Sequence, residues 1–360
     1  YSQFIPFVAT VLAIVLTDLL VGIGIGLTCS IIFILHSNYR RPLTKKLERH
    51  ASGNLVRVDL ANQVTFFNRA ALQSVLYDVP PGGTLLIDAS NADYIDPDVI
   101  DLLSDFQKTG APARWVQLSL VGFGDRYPSL HDEIRFVEHS SHEVQQSTSP
   151  AEVLAMLLEG NDRFRAGEPL KRSMERQRAA TASGQHPLAV ILSCIDSRSP
   201  AEAIFDLGLG DVLSVRVAGN ITTEEVIGSI EFAAIVAGAK LVAVVGHTRC
   251  GAIESAVTNY CCPDQSLFQE CVHAKGILRE VAKVVDEDDC RGVAASITDT
   301  QQEIVDSVAR RNVVRVVRKL LEGSPALAGQ VKEKRLGVVG MMYDVVRGEV
   351  QVIDETRHGV

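Results

Sequence analysis

Four short apolar runs in the second half of the chain constrain the fold most. Residues 188–192, 212–217, 241–245 and 336–340 consist almost entirely of Val, Leu, Ile, Ala and Gly. Runs of this length and composition are typical of strands buried on both faces of a parallel sheet. Segments with helical periodicity, around residues 225–237 and 303–321, lie between them. This alternation predicts an α/β domain with a central, mainly parallel sheet.

A helix start marks where this domain begins. Ser149 is a suitable N-cap, Pro150 fits the first turn, and Glu152 completes a capping box ahead of a run of Val and Leu residues. The ten residues before it, 139–148, are polar and lack apolar periodicity, which indicates a linker. We therefore assign 139–148 to a linker and 149–360 to the α/β domain.

The N-terminal stretch is the most apolar part of the chain. Residues 1–35 contain a single acid, Asp18, and one helix of that length would be about 50 Å long, more than the roughly 30 Å of a bilayer core. Two short helices meeting near Asp18 fit better, so we predict a transmembrane helical hairpin over 1–36. Arg40, Arg41, Lys45 and Lys46 follow, and by the positive-inside tendency they place the rest of the chain on the cytoplasmic side of the cell (inner) membrane. Because the chain starts within apolar sequence, we expect it to be the tail of a larger membrane protein.

Residues 51–138 alternate strand-like and helix-like patterns. Residues 56–60 and 84–88 read as strands, while Asn68 and Asp96 are candidate helix caps. This part of the chain is predicted to be a separate small α/β unit.

Candidate metal ligands follow two of the buried strands in the larger domain. Cys194, Asp196 and Arg198 come after the first strand, and His247 and Cys250 come after the third. Since the carboxyl ends of parallel strands share one edge of a sheet, these side chains are expected to meet. Two thiolates and one imidazole suit tetrahedral zinc with one position left over, where zinc would lower the pKa of a bound water to near 7.

The role of Asp196 decides between an enzyme and a structural site. Held bidentately by Arg198, the Asp196 carboxylate would stay off the metal and could orient the reactive water. Bound to zinc, it would close the site. Spacing alone leaves both alternatives open, including a structural zinc clasp of Cys194, His247, Cys250 and Asp196.

The net charge and the cysteine count limit which partners the chain can bind and in which state its cysteines are expected. The formal net charge of −9 argues against a nucleic-acid partner. An odd count of seven cysteines in a chain expected to lie in the cytoplasm favours reduced thiols or metal ligands over disulfides. We therefore interpret four further cysteines as reduced thiols, with a second metal or redox site as the weaker alternative; they are Cys261, Cys262, Cys271 and Cys290. Four histidines are candidate proton carriers, or else ordinary surface residues: His139, His142, His186 and His358.

Five ordered segments of the second half resemble the β-class carbonic anhydrases. They are residues 158–164, 193–198, 216–220, 229–233 and 246–251, and the similarity extends over about 149–353. The resemblance implies the family's fold and hydration of carbon dioxide to bicarbonate at zinc. It implies Cys194, His247 and Cys250 as ligands, Asp196 and Arg198 as a gating dyad, and a homodimer formed through this domain. Residues 206–210 depart from the family pattern, because they lack a Gln that many members use as a hydrogen-bond donor near the substrate.

The first half resembles the end of a SulP anion transporter and its STAS domain. The match rests on residues 17–20, 85–88 and 94–98. It implies final membrane helices, a STAS domain over 51–138 and a fused anhydrase that supplies or consumes transported bicarbonate. Pro97 and Asp98 stand where related STAS domains carry a phosphorylatable Ser, so a phosphorylation switch is not expected.

Two alternatives to carbon dioxide hydration remain for the zinc domain. One is a non-catalytic zinc module that senses bicarbonate, and the other is a hydrolase of carbon disulfide or carbonyl sulfide.

Overall fold

The computed structural model describes residues 4–40, 43–50, 53–127, 129–130, 140–263, 271–295 and 298–360. The chain forms two compact units. The first comprises residues 1–49 and 54–136, and the second comprises residues 50–53 and 137–360.

Two helices form a hairpin at the N-terminus, α1 (Phe4–Leu16) and α2 (Leu19–Arg40). They break at Asp18, whose Oδ1 accepts a hydrogen bond from the amide of Val21 at 2.9 Å. The two helices can pack closely because Gly22 and Gly26 carry no side chain. A Cβ atom at either position would collide with α1. Over the residues that the structure describes, no helix combines the length and the apolar character needed to cross a membrane. The predicted hairpin is therefore present, but its transmembrane placement is not supported.

The rest of the first unit is a small α/β fold. Its elements are β1 (Leu43–His50), β2 (Gly53–Leu60), β3 (Gln63–Val64), α3 (Arg69–Asp78), β4 (Thr84–Asp88), β5 (Tyr94–Ile95), α4 (Pro97–Asp105), α5 (Ala111–Ala113) and β6 (Gln117–Val121). The four-stranded sheet has the order β1-β2-β4-β6, in which β2, β4 and β6 are parallel. The small α/β unit was predicted to begin at residue 51, but its first strand begins at Leu43. This strand lies at the edge of the sheet, where Lys45 and Lys46 can remain exposed to solvent.

The second unit is built on a five-stranded sheet. Its strands are β7 (Ala189–Ser193), β8 (Val212–Arg216), β9 (Leu241–His247), β10 (Gly337–Tyr343) and β11 (Val350–His358). They lie in the order β11-β10-β9-β7-β8. All neighbours are parallel except β10 and β11, so the predicted mainly parallel sheet is present. The helices are α6 (His142–Ser147), α7 (Pro150–Ala166), α8 (Met174–Thr181), α9 (Ala201–Ile204), α10 (Glu224–Glu231), α11 (Gly251–Cys261), α12 (Lys275–Ala282), α13 (Glu287–Ala295), α14 (Thr298–Gly323) and α15 (Pro325–Lys332).

Apolar side chains cover both faces of this sheet. On one face, α7 contributes Val153, Leu154 and Leu157, which are buried against alternate residues of β7 and β9. On the other face, α14 contributes a buried series against the intervening residues of the same strands. Burial on both faces explains why β9 is apolar from Leu241 to Val245, without the polar and apolar alternation of a half-exposed strand. It also fixes the carboxyl ends of β7 and β9 beside each other, since Ser193 pairs with Val245.

The segment predicted as a linker is instead a folded part of the second unit. Residues 142–147 form α6, and the buried Gln145 donates from Nε2 to the carbonyls of Pro187 and Ala237, both at 2.8 Å. The amide of Ser140 donates to Asp211 Oδ1 at 3.0 Å. Polar residues in this segment satisfy buried backbone groups, which the composition alone did not reveal. His139 lies outside the described residues. The predicted helix start at Ser149 is present, with its capping box to Glu152.

Two of the cysteines predicted to be reduced form a disulfide. Cys261, at the end of α11, is bonded to Cys290 in α13, with the Cα atoms 5.0 Å apart. The prediction of reduced thiols is wrong for this pair, because the packing of α13 against α11 brings two cysteines together that lie 29 residues apart in sequence. Cys262 and Cys271 are free.

Candidate metal centre

Cys194, His247 and Cys250 meet at the carboxyl ends of β7 and β9. Cys194 directly follows β7, His247 is the last residue of β9, and Cys250 immediately precedes α11. One ligand atom from each of the three lies within 4.8 Å of the others, and the two Sγ atoms are 3.8 Å apart. All three side chains are buried. The predicted convergence of these residues is therefore present.

The imidazole of His247 has one nitrogen anchored and one unsatisfied. Nδ1 lies 2.9 Å from the carbonyl oxygen of Thr248. Nε2 is buried, and within the described part of the chain it has no hydrogen-bond partner. A buried polar atom without a partner is costly, and a metal ion in the ligand cluster would satisfy it. The contact at Nδ1 is the kind that orients a metal-binding imidazole.

The pKa values of the two thiols shift in opposite directions. The pKa of Cys194 is lowered to about 4, mainly by a hydrogen bond from Cys250. Burial raises this pKa, whereas hydrogen bonds from His247 and from the amide of Gly219, which lies 3.4 Å from Sγ, lower it further. The pKa of Cys250 is raised for the converse reason, because its thiol is the donor in that hydrogen bond and because it is buried. A thiolate beside an imidazole and a second thiol is a donor set that fits Zn²⁺.

Asp196 lies beside this cluster and is held by Arg198. Nε of Arg198 donates to Oδ1 at 3.0 Å and Nη2 donates to Oδ2 at 2.8 Å, while the Arg198 amide also donates to Oδ1 at 2.9 Å. The side-chain bonds from Arg198 are the main reason why the pKa of Asp196 falls to about 2. Oδ2 is 4.0 Å from Nε2 of His247. The carboxylate therefore stays ionised and points toward the ligands without joining them.

Backbone contacts fix the loops that carry the ligands. Arg216, the last residue of β8, donates from Nε to the carbonyl of Cys194 at 3.0 Å and from Nη2 to the carbonyl of Asp196 at 2.5 Å. Asn312 is fully buried in α14 and donates to the carbonyl of Gly219 at 2.8 Å. Asn312 was not predicted from the sequence, because its hydrogen bond to Gly219 depends on how α14 packs and no local sequence motif indicates it.

The other candidates from the sequence have different surroundings. His142 and His186 lie together, with ring centroids 5.1 Å apart. In the segment that lacks the family's Gln, Asp206 is buried and paired with Arg163 and Arg172, both at 2.5 Å. This segment therefore contributes a buried ion cluster. Over the described residues, Cys194, His247 and Cys250 form the one group of three or more potential ligands close enough to share a metal ion.

The fold and this centre together define an α/β domain with a buried Cys-His-Cys cluster that could hold a metal ion. Residues 189–350 match the family model described as carbonic anhydrase. Carbonic anhydrase 2 of Mycobacterium tuberculosis is 34% identical over 209 residues, which cover 58% of this chain and 95% of that protein. A carbonic anhydrase of Mycolicibacterium smegmatis is 32% identical over 207 residues, covering 57% of this chain and 94% of that protein. A β-carbonic anhydrase structure from Aspergillus fumigatus aligns with a TM-score of 0.43 at 24% identity, covering 57% of this chain and 90% of the other.

The chain belongs to the carbonic anhydrase family, and the part that matches the family model lies within its second unit. The prediction of a carbonic anhydrase enzyme is thereby confirmed. The comparisons give no support to the resemblance of the first half to a SulP transporter or a STAS domain.

Proposed function

We propose that this chain interconverts carbon dioxide and bicarbonate at a zinc ion bound by Cys194, His247 and Cys250. One observation supports this most directly. Three buried ligand atoms lie within 4.8 Å of one another, one of them lacks any other partner among the described residues, and a carboxylate beside them is held off by a guanidinium. A structural four-ligand clasp would instead need Asp196 turned away from Arg198 and onto the metal.

The residues around the ligands have separable roles in this proposal. Zinc held by two sulfurs and one imidazole supplies the Lewis acidity that makes water a nucleophile near neutral pH. Arg198 holds Asp196 through both carboxylate oxygens, which would keep this carboxylate from becoming a fourth ligand of the bound ion. Asp196, ionised because its pKa is about 2, can accept a hydrogen bond from the reacting water and orient it. Gly219 and Arg216 hold the loop of Cys194 so that the ligand geometry is set before substrate arrives.

The decisive experiment measures zinc content and carbon dioxide hydration by the full chain. Cys194→Ser should lose both, while Cys262→Ser, at a half-buried free cysteine outside the cluster, should keep both. Bound zinc without hydration between about pH 6 and 9, the range around a zinc-water pKa, would favour the bicarbonate-sensing module. Hydrolysis of carbon disulfide or carbonyl sulfide without hydration of carbon dioxide would favour the hydrolase.

We propose further that the anhydrase domain forms a homodimer. Three exposed apolar side chains in the turn of helix directly after α10 support this: Phe232, Ile235 and Val236 are 58%, 45% and 69% exposed. Large apolar groups in such a cluster are typical of an interface. Light scattering of the full chain should give a dimer mass for the wild type and a monomer mass for Phe232→Glu with Val236→Glu. An unchanged dimer in this variant would contradict the assignment.

For the first half, the proposal is attachment to a cell (inner) membrane with both α/β units on its cytoplasmic side, as the STAS-linked end of an anion transporter. The support is the hairpin of α1 and α2, in which Leu16, Leu19 and Leu20 are 79%, 64% and 85% exposed, and the small parallel α/β unit that follows it. The full chain should float with vesicles of phosphatidylcholine and phosphatidylglycerol. Leu16→Asp with Leu20→Asp should abolish flotation, whereas Val346→Asp, at an equally exposed apolar residue of the second unit, should not. Equal flotation of both variants would reject the membrane role of the hairpin.

A further inference from the structure

The loop between two of the metal ligands is fastened to a helix far away in the sequence. Asp306 lies in α14, and its Oδ1 accepts a hydrogen bond from the backbone amide of Arg249 at 2.7 Å. Arg249 stands between His247 and Cys250. The same Oδ1 also accepts from Nε2 of Gln302 at 2.9 Å, which orients the carboxylate. Asp306 therefore contacts the ligand loop without touching a ligand.

Arg249 needs such a restraint because of its backbone. Its φ is +56°, in the left-handed region that a non-glycine residue rarely adopts. This conformation lets the chain turn sharply enough for a ligand at the end of β9 and a ligand at the start of α11 to face one centre. A backbone conformation of this kind persists only when surrounding contacts stabilise it. The hydrogen bond from the Arg249 amide to Asp306 is such a contact.

The same residue also links to the Asp196 and Arg198 pair. The carbonyl of Arg249 accepts a hydrogen bond from Nη2 of Arg198 at 3.0 Å. Nη2 is also the atom that donates to Oδ2 of Asp196. The amide of Arg249 is thus fixed by Asp306 while its carbonyl helps to fix Arg198. A rotation of this peptide segment would disturb the ligand loop and the dyad together.

We infer that Asp306 is a positioning residue of the metal centre, acting through Arg249 on both the ligand loop and Arg198. The inference rests on the proposed zinc site and deepens it, because it assigns the geometry of the centre to a helix that supplies no ligand. Asp306 is half-buried, whereas Glu303, one turn earlier on the same helix, is exposed. Glu303 therefore offers a matched control, because its loss removes the same charge from α14.

The test measures the zinc affinity of the full chain by competition with a chromogenic chelator, together with the carbon dioxide hydration rate. Asp306→Ala should lose about ten- to hundredfold in zinc affinity, the usual effect of removing a group that orients a ligand. Asp306→Asn keeps the Oδ1 acceptor and should retain most of that affinity. Glu303→Ala should match the wild type. If Asp306→Ala binds zinc as the wild type does, or if Asp306→Asn loses as much as Asp306→Ala, the inference is overturned.

A double-variant cycle separates this role from general destabilisation. Arg249→Gly removes the steric cost of positive φ, so the loop needs less restraint. Asp306→Ala should therefore lower zinc affinity less in the Arg249→Gly background than in the wild type. Equal losses in both backgrounds would contradict the role through Arg249. A wild-type chain that binds no zinc would overturn the proposed function itself, which distinguishes that failure from failure of the Asp306 assignment alone.

Discussion

Arg198→Ala removes the side chain that holds Asp196 away from the ligand cluster. Two hydrogen bonds to Asp196, at 3.0 and 2.8 Å, and one to the carbonyl of Arg249, at 3.0 Å, are lost. The amide of residue 198 still donates to Oδ1, so Asp196 is not freed completely. Oδ2 starts only 4.0 Å from Nε2 of His247. A small rotation of the carboxylate would therefore bring it onto the metal.

The expected loss follows from these contacts and from exposure. A hydrogen bond to a charged group contributes about 1.5 to 3 kcal/mol when protected from water. The Arg198 side chain is 50% exposed, so solvent screening reduces the contribution of the pair to about 1 to 2 kcal/mol. Since about 1.4 kcal/mol is a factor of ten, we expect the hydration rate at neutral pH to fall by about five- to thirtyfold.

The assay is stopped-flow hydration with a pH indicator, on samples whose zinc content has been measured. Arg357→Ala is the matched control, because Arg357 forms an exposed pair with Asp354 at 3.0 Å on β11. In an Asp196→Asn background the further change Arg198→Ala should cost much less, since the carboxylate to be restrained is gone. A zinc-loaded Arg198→Ala variant with a rate within about twofold of the wild type would refute the holding role of Arg198.

Three further predictions concern the metal, acid stability and the disulfide. Removing zinc with a chelator should abolish hydration and expose Cys194 and Cys250 to alkylation, which peptide mass spectrometry detects; protection of both thiols after metal removal would contradict their role as ligands. Although burial raises the pKa of Glu280, hydrogen bonds from Lys283, Lys319 and Arg315 lower it to about 2. Because the unfolded chain then binds the extra proton, stability should fall as pH drops from about 4.5 toward 2, and urea unfolding of Glu280→Gln should show a weaker decline. Cys290→Ser opens a loop of 29 residues and should lower the free energy of unfolding by about 3 to 4 kcal/mol, whereas Cys262→Ser should not.

The convergence of Cys194, His247 and Cys250 could be predicted from sequence because of where two of them stand relative to the buried strands. Cys194 and His247 each end a short apolar run, and parallel strands that are buried on both faces must place those ends along one edge. The pairing of Asp196 with Arg198 was open at that point, because spacing allows the carboxylate to reach either the guanidinium or the metal. The structure has the arrangement with Arg198. No local pattern could decide this, since the orientation of Arg198 also depends on the carbonyl of Arg249.

Features that depend on packing between distant segments were missed or misread. Asn312 and Asp306 look like ordinary polar positions of an amphipathic helix, yet each bonds to a loop more than fifty residues earlier in the chain. Gln145 made its segment look like a linker, although the side chain satisfies two buried carbonyls. The disulfide of Cys261 and Cys290 contradicts an argument from cysteine count, because a count carries no information about which helices become neighbours.

Helix α14 connects the stability of the domain with the geometry of its centre. One face of the helix is buried against the sheet through Val313, Val316 and Leu320. From neighbouring positions, Asn312 holds the Gly219 loop, whose amide contacts the Cys194 sulfur, and Asp306 holds the loop between His247 and Cys250. The apolar contacts fix where the helix lies, and that position sets both loops at once. A substitution that shifts α14 on the sheet should therefore weaken metal binding at the proposed centre even though it touches no ligand.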